Sequence, residues 1–236
     1  MRRRWVKVLT VTVVVLAVLF TVVDRVAVHY ADGEVADLAA EKYGYDSATD
    51  ADLDVSITGF PFLTQALDRD FDHVTLDADH LLLNSESNRT GDHLDLTGLH
   101  IDLYDVSVPS FTARSAEANR ASGSVTLPYA NLAAVLGRLA NGKFTVTPAG
   151  DDQVTVAGDL VDFETGARTP VRSTGRLQLA GDEFGITVPG APKADAMWRV
   201  PLPEGVNMTA VHTNDTGVEV TLEGHLVNLG SSRFSR

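Results

Sequence analysis

Carboxylate and histidine side chains are the groups in this sequence that could bind a cation or move a proton. Asp50, Asp52 and Asp54 stand at alternate positions, as the first ligands of a calcium loop do. A helix-loop-helix calcium site needs glycine at its sixth position and glutamate at its twelfth, but counting from Asp50 these are Val55 and Pro61. The run therefore indicates the solvent-facing side of a strand.

Asp77, Asp79 and His80 form the best remaining candidate for a metal site. In a strand, Asp77 and Asp79 share one face while His80 points to the other, which is poor geometry for ligating one ion. The histidines are also separated from one another along the chain by more than a helical turn. We interpret these residues as a solvated acidic face and predict no metal site.

Motifs for covalent or phosphate chemistry are missing from the sequence. A complete phosphate loop (Gly-x-x-x-x-Gly-Lys-Ser/Thr), Gly-x-Gly-x-x-Gly, Gly-x-Ser-x-Gly and His-Glu-x-x-His do not occur. The absence of cysteine excludes a thiol nucleophile, a disulfide framework and a cysteine-ligated zinc. No pair of nucleophile and base can be nominated, so we predict a protein that is not an enzyme, with no catalytic residue and no cofactor.

The formal net charge of -13 limits the possible partners. Nucleic-acid binding needs a lysine and arginine surface that this chain lacks, so no nucleic-acid partner is predicted. The same charge disfavours electrostatic adhesion of the whole surface to anionic lipid. A lipid ligand would therefore be held by its tail rather than by a basic patch.

The first 23 residues have the pattern of a membrane anchor or an uncleaved signal sequence. A basic segment, Met1–Lys7, precedes the uncharged run Val8–Val23. With Trp5 included, the run is long enough to cross the hydrocarbon core of a bilayer. Ala27 and Ala31 each have a charged or bulky residue two positions earlier, so neither fits a small-x-small cleavage site, which favours a retained anchor.

The arrangement of charges around this run predicts its orientation. Basic residues before the span should stay in the cytoplasm by the positive-inside rule. We therefore expect a single-pass protein of the plasma membrane, with residues 24–236 forming one extracytoplasmic domain. The helical spacing after Asp24 predicts a helix that continues from the span and packs against a sheet.

Most of the domain has the alternation of β-strands. Leu94 and Leu96 share one parity, the next apolar residues share the other, and Val106 and Val108 return to the first. The flips at Gly98 and around Tyr104 require a bulge or break. A nearly continuous strand over these residues would span about 50 Å, and we expect it to twist into a curved sheet.

Later segments are shorter. Leu132, Val135, Leu136 and Leu139 have helical spacing and predict a short amphipathic helix. Pro189–Pro203 is predicted to be an irregular crossing. The short strands predicted after the helix are Phe144–Val146, Val154–Leu160, Val171–Leu179, Phe184–Val188, Met208–His212, Val218–Leu222 and Leu226–Leu229.

An apolar corner precedes this series of strands. Gly59 and Pro61 should end the strand through Val55 and Ile57, and a short helix with a buried apolar side should follow. On physical grounds alone, this is an ordinary strand-to-helix corner.

The string GFPFLTQ at residues 59–65, after an alternating strand, resembles the signature of the LmeA-like phospholipid-binding family of actinobacterial cell-envelope proteins. Residues 124–132 resemble that family's strand leading into a short helix, and residues 202–206 and 214–220 resemble its closing hairpin. The resemblance implies an α+β, mostly β fold of the tubular lipid-binding (TULIP-like) kind: a long curved antiparallel sheet wrapped around one or two helices, with an apolar cavity.

The resemblance implies a membrane-tethered protein that binds a phospholipid or another two-tailed lipid in the cell envelope. On this interpretation, the residues expected to contact lipid are Phe60, Phe62, Leu63, Leu94, Leu96, Leu99, Ile101, Leu103, Val106, Val108, Leu132 and Leu136. We expect Phe60, Phe62 and Leu63 to be largely buried at the mouth or floor of the cavity. The alternative is a non-enzymatic envelope scaffold with a packed core, and alternation alone does not decide between the two, since an apolar strand face fills a core as readily as it lines a cavity.

Overall fold

A computed structural model describes residues 2–42, 53–84, 93–110, 115–161, 165–190, 196–200 and 202–232. Within these residues the helices are α1 (Arg2–Lys42), α2 (Phe62–Asp68) and α3 (Tyr129–Leu139). The strands are β1 (Leu53–Thr58), β2 (Asp70–Asn84), β3 (His93–Ser110), β4 (Ser115–Pro128), β5 (Gly142–Gly150), β6 (Gln153–Val161), β7 (Arg168–Ala180), β8 (Glu183–Thr187), β9 (Ala196–Arg199), β10 (Pro203–Thr213) and β11 (Gly217–Ser232).

The described strands form two antiparallel sheets. Sheet A has the order β1-β2-β3-β4-β11-β10, and sheet B is the simple meander β5-β6-β7-β8-β9. The predicted mostly β class with a long antiparallel sheet is confirmed. The sequence had suggested one sheet, whereas β5 to β9 pair only among themselves and form the second.

Strand β3 is bulged where the alternation of its apolar residues reverses. Gly98 and Asp105 both have positive φ, at 59° and 52°. The register with β4 also shifts between Thr97 and His100. The predicted breaks in one long strand are thus confirmed, and they allow residues on both sides of each bulge to face the same side of the sheet.

Two segments differ from the sequence prediction. β11 is one strand of 16 residues where two short strands were predicted, because Leu226, with φ of 52°, absorbs the irregularity without ending the pairing. The segment Pro189–Pro203 contains β9, which pairs with β8. Trp198 explains this strand, since its ring is buried and stacks on Phe184 with centroids 5.7 Å apart.

Helix α1 runs without a break through Gly33 and packs on β1, the edge strand of sheet A. Its segment Thr12–Asp37 is long and apolar enough, with a mean hydropathy of 1.9, to cross a membrane. The apolar side chains from Val13 to Val23 are mostly exposed in the isolated chain. The helix predicted to follow Asp24 is therefore the second part of α1, continuous with its apolar first part.

The predicted amphipathic helix is α3, which packs on β5 and contacts β3 and β4. Its apolar stripe, Leu132, Val135 and Leu136, is almost completely removed from solvent. This stripe closes the core between the first strand of sheet B and the middle of sheet A.

Candidate lipid-binding site

An apolar cavity of about 160 Å³ lies against the inner face of sheet A. Every strand of sheet A contributes to its wall, and Phe184 of β8 contributes together with Val200 and Leu202, which follow β9. Among the described residues that line it, Ser122 carries the one polar side chain. The lining consists of Leu53, Leu76, Ala78, Leu81, Leu96, Leu99, Ile101, Leu103, Ala121, Ser122, Val125, Leu127, Phe184, Val200, Leu202, Pro203, Val206, Met208, Val220, Leu222, Val227 and Leu229.

Four of the residues proposed from the sequence line this cavity. They all lie on β3 and are Leu96, Leu99, Ile101 and Leu103. The bulge at Gly98 makes this possible, because it brings Leu96 and Leu99, which have opposite parity, to the same side. The remaining lining residues come mainly from β2, β4, β10 and β11, which the sequence did not associate with a site.

Other proposed residues lie elsewhere. Val106 is buried and Val108 half-buried in β3, but neither lines the cavity. Leu132 and Leu136 of α3 have no exposed surface and belong to the core. Leu94 falls in β3 outside the residues whose side chains the structure describes.

The corner after β1 also lies away from the cavity lining. Phe62 is buried and its ring lies 6.0 Å from that of Phe71, while Leu63 is half-buried. The burial predicted for Phe60 is wrong, because its side chain is 58% exposed. Its ring lies at the surface beside α1, with the guanidinium of Arg25 5.4 Å from the ring centroid.

Asp24 of α1 attaches the corner to the helix. The Asp24 carboxylate has no exposed surface and accepts a hydrogen bond of 2.8 Å from the amide of Leu63. Because the N-cap residue of α2 is Pro61, which offers no side-chain acceptor, Asp24 satisfies an amide in the first turn of α2. Arg25 completes the joint by donating to Asp24 at 2.9 Å and to the carbonyl of Gly59 at 3.0 Å.

Asp32 makes a second attachment two turns further along α1. Its carboxylate accepts a hydrogen bond of 2.8 Å from the amide of Ile57. Ile57 lies in β1, which pairs with β2 and stands at the edge of sheet A among the described strands. α1 thus satisfies a backbone donor at this edge.

Gly59 and Gln65 explain two of the residue types in the GFPFLTQ string. Gly59 has φ of 113° and packs directly against the side-chain amide nitrogen of Gln65, so a Cβ atom would not fit. The buried Gln65 in turn accepts a hydrogen bond of 2.9 Å from the amide of Asp72. The string therefore builds a tight corner rather than the wall of the cavity.

A network of histidine and aspartate side chains lies on the outer face of sheet A. Asp102 contacts His73 at 2.7 Å and His100 at 3.2 Å, and His100 contacts Asp77 at 2.5 Å. Asp77 therefore pairs with His100, whereas the candidate site proposed from the sequence had grouped it with Asp79 and His80. The cross-strand register explains this, since Asp77 and His100 are direct partners of β2 and β3.

The network shifts the titration of two of its members. The hydrogen bond from His100 to Asp77 raises the pKa of His100 above its ordinary value. Burial works to raise the pKa of Asp102, but the hydrogen bonds from His73 and His100 outweigh burial and hold that pKa below its ordinary value. Both effects favour the ion pairs.

A second, more open depression of about 1070 Å³ lies between α3 and the first strands of sheet B. It carries Arg138, Lys143, Arg168 and Asp159, so it is polar where the first cavity is apolar. Residues 137–143 match the first seven positions of a phosphate loop, followed by Phe144. Here they form the end of a helix and the start of a strand, the reverse of the strand-to-helix order that a phosphate loop requires.

Comparison with known proteins identifies the family. The model of the LmeA-like phospholipid-binding family matches residues 22–223, which include every residue of the cavity lining up to Leu222 and the whole joint between α1 and the corner. No curated protein matches the chain, and no solved structure matches it. Since the family model covers most of the sequence, the chain belongs to the LmeA-like phospholipid-binding family.

Proposed function

We propose that this protein is a membrane-tethered phospholipid-binding protein of the bacterial cell envelope, and that it holds acyl chains in the apolar cavity against sheet A. Membership of a phospholipid-binding family supports the ligand class. The observation that carries the proposal for the site is the lining, whose described residues include one polar side chain, that of Ser122.

The chemistry of the lining suits an acyl chain. Water in such a cavity would find almost no hydrogen-bond partner, whereas each buried methylene contributes about 0.8 kcal/mol to binding. The volume of about 160 Å³ holds only a short part of one chain. The proposal therefore requires the walls to move apart when a longer chain enters.

Helix α1 supports the proposed tether. The uncharged part of α1 before Asp24 would span the membrane and is preceded by basic residues, whereas from Asp24 onward the helix is hydrogen-bonded to the domain. We propose that the N-terminus is cytoplasmic and that the β-rich domain lies outside the plasma membrane. Protease added to intact spheroplasts should remove the domain, and a domain that is cut only after lysis would contradict this orientation.

Native mass spectrometry of the full chain, purified in a mild detergent, tests the lipid site. We expect a phospholipid adduct, or uptake of phosphatidylglycerol or phosphatidylinositol when these are added. Because most of the binding free energy would come from acyl chains, the affinity should change little between low and high salt.

A matched pair of variants locates the ligand. Ala121 lines the cavity and Ala118, on the same strand, is equally buried but does not. Ala121→Leu should reduce the lipid-to-protein ratio of the folded protein, while Ala118→Leu should leave that ratio unchanged even if it lowers the melting temperature. A chain that carries no lipid and takes none up would support the scaffold alternative instead.

A further inference from the structure

We propose that the corner Gly59–Phe60–Pro61 is a second membrane contact, in which Phe60 enters the interfacial region of the extracytoplasmic leaflet beside α1. This inference rests on the proposed function, in that α1 must span the membrane. It assigns to the corner the binding of a lipid surface, which is distinct from the binding of a lipid molecule in the cavity.

The joint between α1 and the corner fixes where the corner lies. Asp24 binds the amide of Leu63, and Arg25 binds the carbonyl of Gly59. Asp32 adds a third hydrogen bond, to Ile57 in β1. Three contacts over two turns of helix prevent the corner from swinging away from α1, so its depth relative to the bilayer is the depth of Asp24 and Arg25.

The charge of Asp24 does not mark the water boundary. Asp24 has no exposed surface, and its carboxylate is paired with the half-exposed Arg25 at 2.9 Å. On the side of α1 that faces away from the domain, Val26 and Tyr30 are 64% and 78% exposed. The apolar surface of α1 thus continues past Asp24, and Tyr30 is a residue type that is enriched at membrane interfaces.

Phe60 has the chemistry of an interfacial anchor at this depth. Phe60 is 58% exposed, whereas Phe62, two residues later, is 6% exposed. The guanidinium of Arg25 lies over the Phe60 ring, and half of the Arg25 side chain is exposed, so a cation is available for a lipid phosphate. With a net charge of -13, the rest of the chain would be repelled by anionic lipid, so the contact is confined to this corner.

Fluorescence of single-cysteine variants tests the contact, since the natural chain has no cysteine to compete for the label. Phe60→Cys, Leu226→Cys and Val15→Cys would each be labelled with an environment-sensitive fluorophore in the full chain. The labelled proteins would be placed in nanodiscs of phosphatidylcholine and phosphatidylglycerol. Leu226 is the matched control, because it is 79% exposed but lies on β11. Val15 reports on the apolar segment of α1.

We expect the label at position 60 to be blue-shifted and to be quenched several-fold more by a nitroxide near the lipid carbonyls than by one near the chain ends. The label at position 226 should behave as in water. Quenching at position 15 together with a water-like label at position 60 would overturn the proposal and leave the tether standing. Equal quenching at positions 60 and 226 would also overturn it, and an unquenched label at position 15 would show that the tether itself is wrong.

Discussion

The carboxylate of Asp24 lies 2.8 Å from the amide of Leu63, a residue 39 positions later in the chain. We expect Asp24→Ala to lower the melting temperature of the full chain in detergent, because the Leu63 amide in the first turn of α2 would lose its acceptor. Asp24→Asn keeps an oxygen acceptor and should have a smaller effect. Arg25→Ala should also lower the melting temperature, because it leaves the buried carboxylate of Asp24 without its paired cation. Circular dichroism at increasing temperature measures all three, and an unchanged Asp24→Ala would contradict the role of this contact.

Gly59→Ala should be strongly destabilising. The φ of 113° is unfavourable for alanine, and the new Cβ would collide with the Gln65 side chain. Positive φ costs about 1–2 kcal/mol and overpacking about 1–3 kcal/mol more. Gly33→Ala is the matched control, because Gly33 lies in α1 with no atom near its Cβ position. It should stabilise the helix by up to about 1 kcal/mol. Denaturant unfolding of both variants gives the comparison.

Phe62→Ala should lower the free energy of unfolding by about 3–5 kcal/mol, because the side chain is buried against Phe71. Phe60→Ala removes an exposed ring and should cost less than about 1 kcal/mol in detergent. Neither residue lines the cavity, so the lipid-to-protein ratio of the folded variants should stay the same. A loss of bound lipid from Phe62→Ala at an unchanged melting temperature would instead make Phe62 a ligand contact.

The network of histidine and aspartate side chains on the outer face of sheet A should make the stability of the folded protein depend on pH in two directions. The pKa of His100 is raised, so its contribution is complete below the ordinary value of 6.5 and is lost as pH rises through the raised pKa. The pKa of Asp102 is lowered, so its contribution is present above the ordinary value of 3.8 and is lost as pH falls through the lowered pKa.

His100→Asn should therefore remove a fall in stability that begins near pH 6.5 in the natural protein. The effect should be about 0.2–1 kcal/mol, because the His100 side chain is 48% exposed and its ion pairs are screened by water. His225→Asn, a change at an exposed residue of β11, is the control. Melting temperatures would be measured from pH 5 to pH 9. Those of the natural protein and of His225→Asn should fall as pH rises through the raised pKa of His100, whereas that of His100→Asn should lack this fall.

The features that could be predicted from the sequence are those that depend on residues close together along the chain. The reversals of alternation in β3 appear as positive φ at Gly98 and Asp105, because a side chain can change faces only where the backbone leaves the extended conformation. The same alternation placed Leu96, Leu99, Ile101 and Leu103 on the face that lines the cavity.

Features that depend on distant residues were missed. Asp24 marked only the end of an apolar run in the sequence, since nothing near it shows that its hydrogen-bond partner is Leu63. Phe60 was expected at the mouth or floor of the cavity on the lipid-binding interpretation, yet it lies at the surface beside Arg25 of α1. The Asp77–His100 pair could have been found, because pairing β2 with β3 in register places the two residues opposite each other.

The pairing of β4 with β11 sets the order in which the fold can form. Gly217 lies opposite Pro128, and all of α3 and sheet B lies between them in the chain. Sheet B needs only adjacent hairpins, which close quickly, whereas joining β4 to β11 must close a long loop. We therefore expect sheet B to be complete before sheet A. In a chain that is synthesised from its N-terminus, the last two strands are also the last to arrive, so the apolar face of β2 to β4 stays open until the end of synthesis. During that interval the nascent chain is exposed to aggregation, and the surface at risk is the one that later encloses the cavity.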